Sequence, residues 1–126
     1  MNNKVIAFDL DDVLCERDSD LGGPIAKYKN CKPIYKMIDI CNKCYESGSY
    51  IIIYTARGMT TQKGNINSVY SKLYEMTKKQ LDQWGVKHDQ LVMGKIHYDL
   101  LIDDKAMNSA IIENTKIINN FFGEEK

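Results

Sequence analysis

Tyr50-Ile51-Ile52-Ile53-Tyr54, running straight into Thr55-Ala56-Arg57-Gly58, is the stretch on which the fold turns. An unbroken apolar and aromatic run after Gly48 has the pattern of a central strand in a parallel sheet, covered on both faces. Upstream, Lys4-Val-Ile-Ala-Phe8 is a second short run, and it stops at Asp9, Asp11 and Asp12 as a buried strand does where its carboxyl end meets a site. Between the two, Ile34, Met37, Ile38, Cys41, Cys44 and Tyr45 recur at helical spacing, with Pro33 suited to the first turn and Gly48 to the position beyond the last.

Residues 1–54 therefore read as a strand–helix–strand unit. A second helix is marked by Ile66, Val69, Leu73, Thr77, Leu81 and Trp84, with Gly85 as its terminator, and apolar runs follow at Leu91–Met93 and Tyr98–Ile102. Four strands alternating with helices predict a three-layer α/β fold: a parallel sheet with helices on both faces. Residues 109–122 fit either a helix or a helix followed by an edge strand. No internal repeat or linker breaks the chain, and 126 residues suit one domain, 1–126.

Composition narrows the function classes. Lys plus Arg and Asp plus Glu both number 17, so no net charge draws the chain to polyanions, and nucleic acid is disfavoured as a partner. The amino-terminal stretch lacks the features of a secretory signal, and no apolar run approaches the ~20 residues that span a bilayer. The expectation is a cytoplasmic protein whose cysteines, Cys15, Cys31, Cys41 and Cys44, are reduced thiols. Cys41-x-x-Cys44 falls on a predicted apolar helix face and reads as core.

In a parallel α/β sheet, ligands bind beyond the carboxyl ends of the strands. Each predicted strand ends in chemistry: Asp9, Asp11 and Asp12 after the first, Thr55 and Arg57 after the second, Gly94 and Lys95 after the third, Asp103 and Asp104 after the fourth. Carboxylates gathered together need a compensating cation, and hard oxygen ligands without clustered His or Cys favour Mg²⁺ over zinc. A phosphomonoester at that metal needs a nucleophile, a proton donor and positive charge on its equatorial oxygens. Asp9 is the candidate nucleophile, Asp11 the general acid and base, Thr55 a hydrogen-bond donor to the phosphoryl group, Lys95 its counter-charge, and Asp103 with Asp104 the magnesium ligands. Arg57 divides between substrate contact and a surface ion pair, Asp104 between metal ligand and helix cap, and Lys63, Lys87 and Lys105 are alternatives to Lys95.

FDLDDVL at 8–14, YTARG at 54–58, Lys95 and LIDDK at 101–105 resemble, in order, the four motifs of the haloacid dehalogenase superfamily of phosphatases. The resemblance implies a Rossmann-like fold without a separate cap domain, and an aspartyl-phosphate mechanism with Mg²⁺ held by the Asp9 carboxylate, the Asp11 backbone carbonyl and an acid of the fourth motif, Asp103. It assigns substrate contact to Thr55, Ala56, Arg57 and Lys95. Asp12-Val13 stands where many relatives have Gly-Thr.

Similarity to a capless subgroup found with bacterial capsule and surface-polysaccharide genes implies a small phosphorylated sugar or related metabolite as substrate. Residues 15–30 and 58–65 could form partial lids, or a second subunit of a homo-oligomer could close the site. The competing readings are a phosphatase acting on a nucleic-acid or other macromolecular terminal phosphate, and a non-catalytic binding module of the same fold.

Overall fold

The computed structural model describes residues 4–17 and 25–114. Its centre is a three-stranded parallel sheet of β1 (Val5–Phe8), β4 (Tyr50–Thr55) and β5 (Gln90–Met93), in the order β1-β4-β5. The register places Phe8 beside Ile53 and Thr55 beside Met93, so the chemistry-bearing residues that follow each strand emerge at one edge. Between β1 and β4 come a two-stranded antiparallel ribbon, β2 (Cys15–Glu16) and β3 (Lys32–Pro33), the short helix α1 (Ala26–Lys29), and α2 (Tyr35–Glu46). The helix α3 (Ile66–Gln83) joins β4 to β5, its first turn capped by the Asn65 side chain, which accepts the Ser68 N–H at 3.1 Å. A 3₁₀ helix covers Ser109–Asn114, and the remainder of the tail considered for a helix or strand lies outside the described residues.

Both long helices and all three strands stand within a few residues of the spans expected from periodicity. Pro33 is the exception: it belongs to β3, and α2 begins at Tyr35. Ile51 and Ile53 are buried together with Met37, Ile38, Cys41 and Cys44 of α2 and Val69, Leu73 and Leu81 of α3. Full burial of a Leu or Ile side chain contributes about 1.5–3 kcal/mol. The fully buried Leu10 and Leu14 therefore anchor the turn that carries Asp9, Asp11 and Asp12.

Two expectations are corrected. The run Tyr98–Ile102 forms no strand; Leu100 is 76 % and Ile102 88 % exposed. Among the described residues the sheet is also covered on one face only. Ile6, Phe8, Ile51, Ile53, Leu91 and Met93 point inward, while on the alternate positions Val5, Ala7, Tyr50 and Tyr54 are exposed and Ile52 and Val92 half-buried.

The two corrections share a cause. Right-handed crossovers in the progressive order β1-β4-β5 put α2 and α3 on the same side, and a helix on the other side requires the chain to return across β1. Only Gly94–His97 separate Met93 from Tyr98. A parallel strand beyond β1 would start three strand spacings away, about 14 Å, and about 13 Å back along the sheet, a distance of roughly 19 Å. Five residue steps span at most about 18 Å. An antiparallel placement would be within reach, but it would carry Asp103 to the opposite edge.

Candidate active site at the carboxyl edge

Asp9 is the first residue beyond β1. Its Oδ1 accepts the Leu10 backbone N–H at 2.8 Å, which holds the carboxylate in one orientation. Its Oδ2 lies 3.6 Å from Lys95 Nζ. Lys95 follows β5, with its backbone N–H donating to Thr55 O at 3.1 Å, so its side chain bridges the end of β4 from one outer strand to the other. Its ammonium sits 5.5 Å from the Tyr54 ring centroid and 5.3 Å from that of Tyr98.

The Asp9 side chain is 39 % exposed, which leaves the carboxylate open to an incoming ligand. Burial pushes its pKa above the ordinary aspartate value, with Lys95 and the Leu10 N–H pulling the other way. Burial lowers the pKa of Lys95, but Tyr98 and Asp9 together leave it raised, so this lysine stays cationic. Of the alternative lysines, Lys87 is ion-paired with Glu46 on the surface.

Arg57 occupies a different position from either sequence reading. It is 2 % exposed, and its guanidinium meets Asp11 through Nε to Oδ2 at 3.0 Å and Nη2 to Oδ1 at 2.7 Å. Nη1 donates to Thr77 Oγ1 at 3.0 Å and Gln80 Oε1 at 2.6 Å, and the group lies 5.0 Å over the Tyr28 ring. Burial works against its charge, but the Asp11 hydrogen bonds and charge leave the Arg57 pKa raised.

Both Asp11 oxygens are thus engaged, and proton transfer through Asp11 would require it to leave this clamp. Thr55 is buried as well, on the inward row with Ile51 and Ile53, its hydroxyl oxygen accepting the Arg57 backbone N–H at 3.0 Å. Ala56 packs against the core. Thr55 and Arg57, expected at the substrate, are turned inward: Thr55 because odd-numbered positions of β4 face the helices, and Arg57, in the turn after β4, because Asp11, Thr77 and Gln80 hold its guanidinium.

Asp103 and Asp104 do not join the other acids. They lie in the segment after β5, where Asp103 is exposed and accepts the Lys105 N–H at 3.0 Å; the 3₁₀ helix begins at Ser109, too far along for Asp104 to cap. Among the described residues, the side chains of Asp9, Asp11, Asp103 and Asp104 do not form a ready-made ligand cluster. The group among the described residues that could hold a metal ion is Asp11, Cys15 and Cys31, whose ligand atoms lie within 4.8 Å of one another. Two sulfur ligands suit a softer ion than magnesium.

The polar network of Tyr28, Cys15, Cys31, Thr77 and Gln80 around Arg57 was not singled out as a site in the sequence. Its one signal was Thr77, a hydroxyl inside the apolar stripe of α3. Nearby, a surface cavity of about 410 Å³ is lined by Asp12, Glu16, Arg17 and Lys27, with Asp12 and Arg17 ion-paired.

No family model matches the chain, and no curated protein matches it. Among solved structures it is similar to a structural-genomics target from Vibrio cholerae, at 28 % identity and a TM-score of 0.79, over 98 % of this chain and 99 % of that one. That likeness bears on the α/β fold and assigns no activity. No described helix is long and apolar enough to cross a membrane.

Proposed function

We propose that the chain is a phosphomonoester hydrolase of the haloacid dehalogenase type, in which the Asp9 carboxylate accepts the phosphoryl group of a small phosphorylated metabolite. The observation that carries this reading is the Asp9–Lys95 pair at the carboxyl edge of a parallel sheet, a half-open carboxylate with an ammonium 3.6 Å away. The motif order supports it. The choice of a sugar phosphate of surface-polysaccharide synthesis rests on the motif resemblance alone, because the cavity of about 410 Å³ is charge-balanced, with Arg17 paired to Asp12 and Glu16 offsetting Lys27.

The chain's own residues supply three things. The Leu10 N–H fixes Asp9 Oδ1 and leaves Oδ2 as the attacking atom. As the bond from Oδ2 to phosphorus forms and the ester P–O bond breaks, the Lys95 charge lies beside the equatorial oxygens that gain negative charge. Water then hydrolyses the acyl phosphate and restores the carboxylate. Since Asp11 is clamped by Arg57, an aryl phosphate, whose leaving group needs no proton, is the substrate of choice for a first test.

Purified protein is expected to hydrolyse such a substrate, and Asp9→Asn to abolish turnover without loss of circular-dichroism signal. Lys95→Met is expected to slow it by about 10²–10³-fold, the usual cost of removing one charge-stabilising group. Magnesium dependence belongs to this proposal, and assays with added Mg²⁺ and with EDTA measure it. Full activity of Asp9→Asn would refute the assignment.

A further inference from the structure

We propose that Cys15 and Cys31 form a reversible dithiol–disulfide site beside Asp11. The two sulfurs lie within 4.8 Å of each other, and both thiols donate to the same Asp11 oxygen, Oδ1, at 3.5 and 3.6 Å. Arg57 Nη2 approaches both, at 3.7 Å from Cys15 Sγ and 3.6 Å from Cys31 Sγ. The ribbon geometry explains why they meet. Cys15 pairs with Pro33 across β2 and β3, and Cys31, two residues before Pro33, returns to the same side.

A disulfide needs sulfurs about 2.05 Å apart and Cβ atoms about 3.5–4.5 Å apart. The sulfurs start within 4.8 Å, and because Cys31 sits diagonally to Cys15 in the ribbon, bonding draws the residue before β3 toward β2 as the sulfurs close. Cys41 and Cys44 differ, because residues three apart on one helix hold their Cβ atoms about 5–6 Å apart and cannot be bridged without unwinding α2. They provide an internal comparison within the same molecule.

Cys31 is 8 % exposed and Cys15 is fully buried, which orders the steps. The Cys31 sulfur attacks a low-molecular-weight disulfide, forming a mixed disulfide, and one small thiol leaves with the displaced proton. The Cys15 sulfur attacks Cys31 Sγ and expels the second small thiol. Two cysteine thiols are oxidised by two electrons, one S–S bond forms, and the small disulfide is reduced to two thiols. The Arg57 guanidinium, in contact with both sulfurs, stabilises the negative charge that develops on them. Oxidation removes both thiols from Asp11 and links β2 covalently to the residue before β3.

The chemistry is independent of any reaction at Asp9, and so is its test. The full chain is incubated with glutathione disulfide, unreacted thiols are alkylated under denaturing conditions, and the unreduced digest is analysed by mass spectrometry. Two of the four thiols should be lost to alkylation, with the peptides of Cys15 and Cys31 linked and Cys41 and Cys44 alkylated. Dithiothreitol should restore all four. Cys15→Ser should leave Cys31 as a lasting mixed disulfide with glutathione, and Cys31→Ser should leave Cys15 unmodified. Four alkylated thiols in the wild-type chain, a linkage through Cys41 or Cys44, or a mixed disulfide at Cys31 that never passes to Cys15 would overturn the proposal. The wild-type digest decides the matter even where a variant folds poorly.

Discussion

Arg57 directs every donor of its guanidinium inward, onto Asp11, Thr77, Gln80 and the sulfurs of Cys15 and Cys31. Removing it strands a partly buried carboxylate and two buried polar side chains, so Arg57→Ala should lower stability by about 3–5 kcal/mol in urea unfolding. A loss below about 1 kcal/mol would show that the network carries little. Asp9 carries the pH prediction. Only its ionised form attacks phosphorus, and its pKa lies above 3.8 because of burial, so activity should fall with acidification at a pH above that of an ordinary aspartate. Lys95 opposes that rise, so the acid limb of kcat/KM should move to still higher pH in Lys95→Met; an unmoved limb would show that the pair is not coupled.

At this scale the sequence located Asp9 and Lys95 through their places after strands. It could not orient Thr55, because nothing in the apolar run says which face of β4 meets the helices, or Arg57, because the turn after the strand follows no alternation.

Among the elements, the segment after β5 departs furthest from its sequence pattern. Tyr98–Ile102 is as apolar as a strand, and apolarity records what a segment would gain from burial, whereas the four residues Gly94–His97 determine where it can go. Ile102 is 88 % exposed, so Ile102→Lys should change stability by no more than about 0.5 kcal/mol. A loss above about 2 kcal/mol in chemical denaturation would mean that the run packs against the sheet after all. The helices were legible for the complementary reason: α2 and α3 bury regular stripes against β4 and β5, and the spacing that buries them is the spacing visible in the sequence.

For the whole molecule, parallel strand order follows from alternation of strand and helix, while the number of layers depends on whether the chain recrosses the sheet. The described residues give a sheet with one covered face and an edge where Asp9 and Lys95 meet over the end of β4. The central claim is that this edge forms an acyl phosphate. Its most direct measurement is rapid acid quench during turnover of an aryl phosphate, followed by borohydride reduction and peptide sequencing. The account predicts that the aspartate at position 9 is recovered as homoserine in proportion to the burst of released phenol; product formation with Asp9 unmodified, or with the phosphoryl group trapped on another side chain, would contradict it.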